Sequence, residues 1–598
     1  MVFGVAGLLV LAVLLARLFT LQVVYSDRAR LLSEKNWLRP EAIPGRRGRI
    51  LDRGGRVLAD VVPSYTIVFD PQWESFGRGG DSPDSTLDRL ARLLGDDGGD
   101  YREELDRRRG RSYHPVRLHR NADLAEVTRV EENRRRLPGV SVVVDSRRYY
   151  PNDSLAVHVL GYVNEVNAAD LARHPNGPYR AGSLIGRSGV EAEFETELRG
   201  RDGMRFVEVN VRGRRSRAFV SADPIPPRPG TDIALTLDLD LQRVLEGALD
   251  AAPYSGSGEA PEVKGAAVVM DVRTGDILAM ASRPAYDPNV FSRRMSHAEF
   301  AVYNRPAQPF WNRAVQGRYP PGSTFKGLTL YAALDEGKVT PEQKLQACVG
   351  GYQFGTRWFR CWRAAGHGRV DAYEAMAQSC DVYFYQLGRV LGVDGIARYA
   401  SLFGLGEKTG IDLPGEKKGL VPDRAWYDAN RGRRGWSVGV ALNLSIGQGE
   451  ILLTPLELVQ FAGVLATGGE RVRPHVLYHG KPGSEEAAPE VTDLGLVPAE
   501  VEAVRRGMIR AVRQGTARVV RFPEVAVAAK TGTAETTGPD NAVFIAFAPV
   551  EHPEIALAVY LEHRGHGGSA AGPVARKVLA SYFGIADSAA PVRVGETD

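Results

Sequence analysis

Apolar residues run unbroken by charge over residues 2–16, and after Arg17 the pattern resumes through Leu18, Phe19, Leu21, Val23 and Val24. At ~1.5 Å per residue that run is long enough for a ~30 Å hydrocarbon core, so residues 1–25 predict a membrane-spanning helix. Residues 47–69 instead alternate apolar and polar positions around Asp52-Arg-Gly-Gly55, which predicts strand, turn, strand. Residues 74–140 are charged and rich in arginine, with Leu87, Leu90, Leu93 and Leu94 at the spacing of a short amphipathic helix; they predict an inserted subdomain. Asp223-Pro-Ile-Pro-Pro-Arg-Pro-Gly230 is a linker by composition. After it, residues 231–237 and 265–281 read as strands, the latter turning at Thr274-Gly275, and mixed α and β patterns continue to about residue 583. Residues 586–598 have the composition of a loose tail. No internal repeat is present.

Composition narrows the functional classes. The 598 residues are 43% hydrophobic and 25% charged, enough to bury more than one core. A net charge of +4 and the absence of a Gly-x-x-x-x-Gly-Lys loop argue against nucleic acid or nucleotide, and runs such as Arg107 to Arg111 read as solvated faces. A cleaved signal peptide competes with the anchor, but no basic segment precedes the apolar run and no small-x-small site follows it before Asp27. Arg28, Arg30, Lys35 and Arg39 follow the run with nothing basic before it, which on charge alone places the bulk of the chain in the cytoplasm. An outward orientation then requires a short or missing cytoplasmic tail. Arg17 within the span is costly unless paired, which points to a membrane partner.

Three short signatures carry the chemistry: Ser323-Thr-Phe-Lys326, Ser379-Cys-Asp381 and Lys530-Thr-Gly-Thr533. Each recurs by chance in long chains, whereas the ordered triple describes a serine acyltransferase. At a helix start, residues three apart share a face, so Lys326 is placed to take the proton of the Ser323 hydroxyl. Pro320, Pro321 and Gly322 suit a tight entry into that helix, aiming backbone N–H groups at a reacting carbonyl. One such oxyanion donor contributes ~3 kcal/mol to a transition state.

The triple resembles that of the penicillin-interacting transpeptidases, and the likeness extends over roughly residues 1–583. Arg47-Gly-Arg-Ile-Leu-Asp-Arg-Gly-Gly-Arg-Val-Leu-Ala59, Gly186-Arg-Ser-Gly-Val-Glu191 and Leu198-Arg-Gly200 are similar to the pedestal signatures of class B penicillin-binding proteins. Thr409-Gly-Ile-Asp-Leu-Pro-Gly-Glu416, Ser445-Ile-Gly-Gln-Gly449 and Thr454-Pro455 are similar to their catalytic domain. Within that class the chain looks most like the cell-elongation branch. The resemblance implies Ser323 as nucleophile, Lys326 as its base, Ser379 as proton relay and Lys530 as the group that positions Ser379 and the substrate carboxylate. Thr531, Gly532 and Thr533 would bind that carboxylate, with the N–H groups of Ser323 and Thr533 as oxyanion hole. Ser323 then attacks the penultimate D-Ala of a stem peptide, D-Ala leaves, and a neighbouring amine resolves the acyl-enzyme into a peptidoglycan cross-link. The second signature departs from the usual Ser-x-Asn: an ionised Asp381 only accepts hydrogen bonds and favours the ammonium form of Lys326.

The implied architecture is an α+β chain with a transmembrane anchor at 1–25, an elongated and mainly β pedestal at 26–230 carrying the insertion at 74–140, a β-lactamase-like transpeptidase domain at 231–583 and a flexible tail at 584–598. The implied setting is the bacterial inner membrane, single-pass, with the catalytic domain outside the cytoplasm. Implied partners are stem peptides, β-lactams and a SEDS-family glycosyltransferase of the RodA type, since the chain shows no glycosyltransferase domain. A division-specific transpeptidase, an acyl-enzyme β-lactamase or sensor, or a scaffold that activates the glycosyltransferase is the alternative; the anchor and long pedestal disfavour a simple β-lactamase.

All three cysteines fall between Cys348 and Cys380. With His367 they form Cys348-x12-Cys361-x5-His367-x12-Cys380, a donor set suited to a closed tetrahedral zinc site. A Cys348–Cys361 disulfide with Cys380 as a buried thiol is the other reading. A helix through the second signature would turn Ser379 and Asp381 toward the cleft and Cys380 away from it, so the metal would brace the wall behind the catalytic hydroxyl.

Overall fold

The computed structural model describes the chain apart from residues 1, 21–37, 71–81, 97, 109–114, 176, 181, 209–223, 255–258, 293–300, 434, 479–488, 537 and 587–598. The C-terminal tail therefore lies almost wholly outside the described residues. So do the basic residues Arg28, Arg30 and Lys35 that follow the apolar run.

Alternation of side chains builds the centre of the larger domain. Five strands pair antiparallel throughout, in the order Ile277–Arg283, Gly265–Asp271, Ile555–Leu561, Asn541–Ala548, Ala528–Ala534. Every position of the middle three is buried, so the sheet is covered on both faces. Val268, Ile545 and Ala558 point to one face and join a core with Leu328 and Tyr331 of helix Lys326–Asp335, Phe384 of helix Asp381–Leu402 and Phe461 of helix Pro455–Thr467. Val269, Phe544 and Val559 point to the other and pack on Leu245 and Leu249 of helix Leu239–Asp250 and on Val578 of helix Gly572–Tyr582. The period of two in the strands thus sorts neighbouring residues into two separate cores. The strand expected over 265–281 is two strands, with the turn at Thr274-Gly275 as read from the sequence.

In the N-terminal half, Val57–Phe69 is the hub, pairing with Ile50–Leu51, Val116–Ala122 and Val140–Tyr149. The helix expected around Leu87 spans Pro83–Leu94, starts on a Ser82 cap that accepts from the Ser85 amide, and buries Leu87, Leu90 and Leu94. With Ile67, Phe69, Tyr101 and Leu118 these leucines form a core of their own. Helices Gly98–Arg108 and Leu124–Glu132 add to it, so this half is mixed α and β and not mainly β as expected. The two halves join where Ile50–Leu51 runs parallel to Ile233–Ala234.

Among the described residues no helix is long and apolar enough to cross a membrane. The N-terminal helix Val2–Phe19 is apolar and leaves Leu8, Leu9, Val13 and Leu14 exposed. Its 18 residues reach about 27 Å at 1.5 Å per residue, short of the ~30 Å hydrocarbon core. The span expected over residues 1–25 is seen only as this shorter piece.

The pedestal stretches that looked alike by sequence meet in space. Glu191, fully buried, accepts from Arg47 Nε and Arg148 Nε, both at 2.6 Å, and from the Tyr150 hydroxyl at 3.1 Å. Arg47 also pairs with Glu195 at 2.7 Å. Burial alone would raise the Glu191 carboxyl; the charges of Arg148 and Arg47 outweigh it and hold the group below its ordinary value.

Candidate active site

Ser323 sits on a 3₁₀ turn, Gly322–Phe325, that runs into helix Lys326–Asp335. Gly322 has φ +55°, and a Cβ there would stand 2.6 Å from the Thr533 carbonyl oxygen. Its amide donates to Gly447 O at 3.0 Å, and a Cβ on Gly447 would lie 2.2 Å from Gly322 O. The turn is thereby wedged between the edge strand Ala528–Ala534 and the loop of Ser445-Ile-Gly-Gln-Gly449, backbone against backbone. Ser323 is half-buried at the surface of this wedge, and Lys326, three residues on, is fully buried beneath it.

The structure brings four predicted residues into one buried cluster. Lys326 Nζ donates to Asp381 Oδ1 at 2.7 Å, to Ser379 O at 2.8 Å and to Ser379 Oγ at 3.1 Å. Lys530 Nζ donates to the same Ser379 Oγ at 2.9 Å and to Thr531 O at 2.8 Å. Lys326 does not bond Ser323 as the spacing suggests, because the three protons of its ammonium are met by Asp381 and Ser379. Ser379 Oγ is the bridge between the two lysines.

The backbone at the second signature also differs from the expected helix. Ser379 has φ +56°, a conformation disfavoured for serine, in the turn between helices Ala372–Ala377 and Asp381–Leu402. Cys380 is the cap residue and Asp381 the first helical one. That kink delivers the side-chain separation a helix was expected to give, with Ser379 and Asp381 on the lysines and Cys380 on the other cysteines. Asp381 is completed by the Trp362 amide, which donates to Oδ2 at 2.9 Å.

Burial sets the electrostatics. The Lys530 ammonium is pushed well below the usual lysine value, by desolvation first and the Lys326 charge second, with Asp381 opposing. The Asp381 carboxyl is pushed up by desolvation against the pull of Lys326. Two cations and one anion share the cavity, so a proton is held loosely here. A lysine pushed toward its neutral form and joined through the Ser379 hydroxyl to Lys326, on the helix that half-buried Ser323 leads into, is equipped to move protons.

Thr531 Oγ1 lies 2.6 Å from Thr516 Oγ1, and Thr533 Oγ1 lies 3.5 Å from Nδ1 of exposed His566. Gln448 Nε2 donates to Thr533 O at 3.0 Å. Gly532, between the two threonines, is buried. Thr516, His566, Trp362 and Gln448 were not singled out from the sequence. Only Gln448 had a signal, as part of a quoted stretch to which no role was attached.

Beside the cluster, Cys348, Cys361, His367 and Cys380 bring one ligand atom each within 4.8 Å of one another. Their scaffold is the hairpin Gly351–Phe354 and Arg357–Arg360, which returns Cys361 to Cys348. The cysteines are free, not paired as a disulfide. His367 Nδ1 stands 3.6 Å from Cys348 Sγ and 3.5 Å from Cys361 Sγ, and its buried Nε2 has no hydrogen-bond partner among the described residues. Tetrahedral zinc with ordinary Zn–S and Zn–N lengths holds its ligands roughly 3.5–3.8 Å apart, so the donor set fits that ion. Hydrogen bonding from Cys380 and His367 holds the Cys361 thiol far below its usual value, whereas burial raises Cys348.

The description of the penicillin-binding protein transpeptidase domain matches residues 265–580, more than half of the chain. The chain belongs to the penicillin-binding protein family. The penicillin-binding protein dimerisation domain matches residues 42–235. Among relatives of this penicillin-binding protein is the peptidoglycan D,D-transpeptidase MrdA of Escherichia coli K12, 34% identical over 96% of this chain and 92% of that protein. The MrdA of Acinetobacter baumannii is 33% identical over 95% of this chain and 85% of that protein. Among solved structures, penicillin-binding protein PBP2 of Helicobacter pylori in complex with MreC superposes with TM-score 0.78 at 26% identity, covering 92% of this chain and 99% of that one. A chain of a peptidoglycan synthase complex that coordinates polymerization and crosslinking matches with TM-score 0.72 at 36% identity, covering 99% of each.

Proposed function

We propose that this chain is a peptidoglycan D,D-transpeptidase of cell elongation, with Ser323 as its nucleophile. The observation that carries the reading is the buried line Lys530, Ser379, Lys326, Asp381 ending at the turn that presents Ser323. In the first half-reaction Lys326 yields one ammonium proton to the Asp381 carboxylate and, as a neutral amine, takes the proton of the Ser323 hydroxyl while Oγ bonds the penultimate D-Ala carbonyl carbon. The amides of Ser323 and Thr533, on adjoining backbones, stabilise the oxyanion. Ser379 hands a proton to the departing D-Ala amine and is replenished from the lysines. In the second half the incoming amine returns that proton along the same path and takes the acyl group. Thr531, Gly532 and Thr533 hold the terminal carboxylate, beside Lys530.

The elongation role rests on the relatives: MrdA by sequence, and PBP2 solved with MreC and within a peptidoglycan synthase complex. We extend this to a SEDS-family glycosyltransferase of the RodA type as partner. The anchor proposed is residues 1–25, which include helix Val2–Phe19, with Arg17 against the partner and the catalytic domain outside the cytoplasm. The domain limits proposed are 1–25, 26–230, 231–583 and 584–598.

Fluorescent penicillin tests the core of this reading. Wild type should be labelled on Ser323, Ser323→Ala should fall to background, and Lys326→Ala should lose nearly as much because the two act as a unit. Label mapped to another residue would overturn the assignment.

Cys348, Cys361, His367 and Cys380 are proposed to bind zinc. The ion supplies no chemistry to acyl transfer; the four residues fix the end of the hairpin at Cys361, and the residue after it, Trp362, gives its amide to Asp381. Elemental analysis of untagged protein should find one zinc per chain, and Cys361→Ser should lose the metal and lower penicillin acylation severalfold. An intact Cys348–Cys361 bridge without metal would end this proposal.

A further inference from the structure

The pedestal contains a cavity of about 190 Å³ between residues 42–47, the strands Val116–Ala122 and Val140–Tyr149, and residues 180–202. None of its lining residues belongs to the catalytic cluster or the cysteine site. Seven arginines line it against two aspartates, Asp145 and Asp202. Asp145 takes Arg117 at 3.2 Å, and Asp202 takes Arg180 at 3.1 Å with Arg199 at 3.8 Å. Three glutamates behind the wall take others: Glu165 pairs with Arg120, Glu191 with Arg148 and Arg47, and Glu195 with Arg47. Five carboxylates thus face seven guanidiniums, leaving an excess of two positive charges around the cavity. Arg148 is 1% exposed and keeps a buried Nη2 without a hydrogen-bond partner among the described residues. Arg147 stacks 5.3 Å from the Tyr149 ring and, among the described residues, pairs with no carboxylate.

We infer that this cavity is an oxyanion site that takes a phosphate or diphosphate group. Buried guanidinium N–H groups left unmet are costly, and an oxyanion satisfies several at once. Arginines line the cavity from both strands and from the loops facing them, which suits a phosphate accepting from many directions better than a single planar carboxylate. The volume is below that of a drug-sized pocket, so a headgroup-sized anion fits and a whole nucleotide does not. The inference is independent of the transpeptidase reading.

Calorimetric titration of the full chain in detergent with pyrophosphate, inorganic phosphate and acetate, at fixed ionic strength, tests it. One pyrophosphate should bind per chain, more tightly than phosphate, and acetate should not compete. The double variant R147Q/R180Q leaves Arg47 and Arg148 on Glu191. It should unfold at the wild-type temperature, keep wild-type penicillin acylation and bind pyrophosphate at least about tenfold more weakly; exposed Arg53→Gln should change nothing. A short-chain isoprenyl diphosphate in micelles that displaces pyrophosphate would assign the group to a lipid headgroup, whereas failure to displace would assign it to a free anion, and either supports the site. Absence of saturable binding, equal binding by R147Q/R180Q, or acetate binding as well as pyrophosphate would overturn it.

Discussion

Two buried charge clusters in this chain look alike by content and differ in balance. In the pedestal, Arg47 and Arg148 meet Glu191 and Glu195, two cations for two anions, and Glu191 is held ionised. In the catalytic cluster Lys326 and Lys530 have one carboxylate between them, Asp381 on Lys326, and burial first, with the Lys326 charge second, drives the Lys530 ammonium toward the neutral amine. A balanced cluster ties distant segments together. An unbalanced one keeps a proton mobile, which a structural tie has no use for and acyl transfer requires.

Replacing one member of each cluster tests the contrast. Lys530→Met removes the surplus cation and leaves one lysine for one aspartate; it should cut penicillin acylation by on the order of 10³-fold or more while leaving the melting temperature unchanged or raised, since an apolar isostere of a buried charge is often stabilising. A fall in melting temperature together with retained acylation would show that both clusters are merely structural. Glu191→Ala strands the buried Arg148 guanidinium and leaves Arg47 only Glu195; it should cost about 3–5 kcal/mol, read by denaturant unfolding of the N-terminal half, with the acylation rate of the folded fraction unchanged.

A smaller effect is expected from Asp381→Asn, read in the pH dependence of acylation. Asp381 raises the pKa of Lys530, so its removal lowers that pKa further. The neutral amine then persists to lower pH, and the acidic limb of the acylation profile should move to lower pH. A limb that stays or moves up would break the argument. The same depressed pKa makes Lys530 bind fewer protons folded than unfolded, so its burden on stability eases as pH rises toward the ordinary lysine value.

The catalytic residues were legible because each signature is a few contiguous residues whose chemistry is local, and the cysteine set because four scarce donors crowd one stretch. What the sequence hid was long-range or conformational. Glu191 meets Arg47 from 144 positions away and Arg148 from 43, and no local pattern marks such pairs. The left-handed backbone of Ser379 contradicts serine's own preference and is imposed by the helices on either side. Spacing assigns Lys326 to Ser323 and the second signature sets Asp381 beside it, yet only packing reveals that Asp381 and Ser379 together take all three ammonium protons and leave none for Ser323. In the pedestal, helices beyond the leucine-marked one escaped because their faces are largely polar, as in Gly98–Arg108.

The glycines of the catalytic wedge have a consequence for drug pressure. Gly322, Thr533 and Gly447 set the spacing of the turn, strand and loop by main chain against main chain, and the two glycine positions have no room for a Cβ. Selection acts on side chains, and at these contacts there is none to trim. Variants that escape a β-lactam while still cross-linking therefore have to arise on the rim, where half-exposed Trp362 and exposed His566 offer side chains that can change without moving the frame.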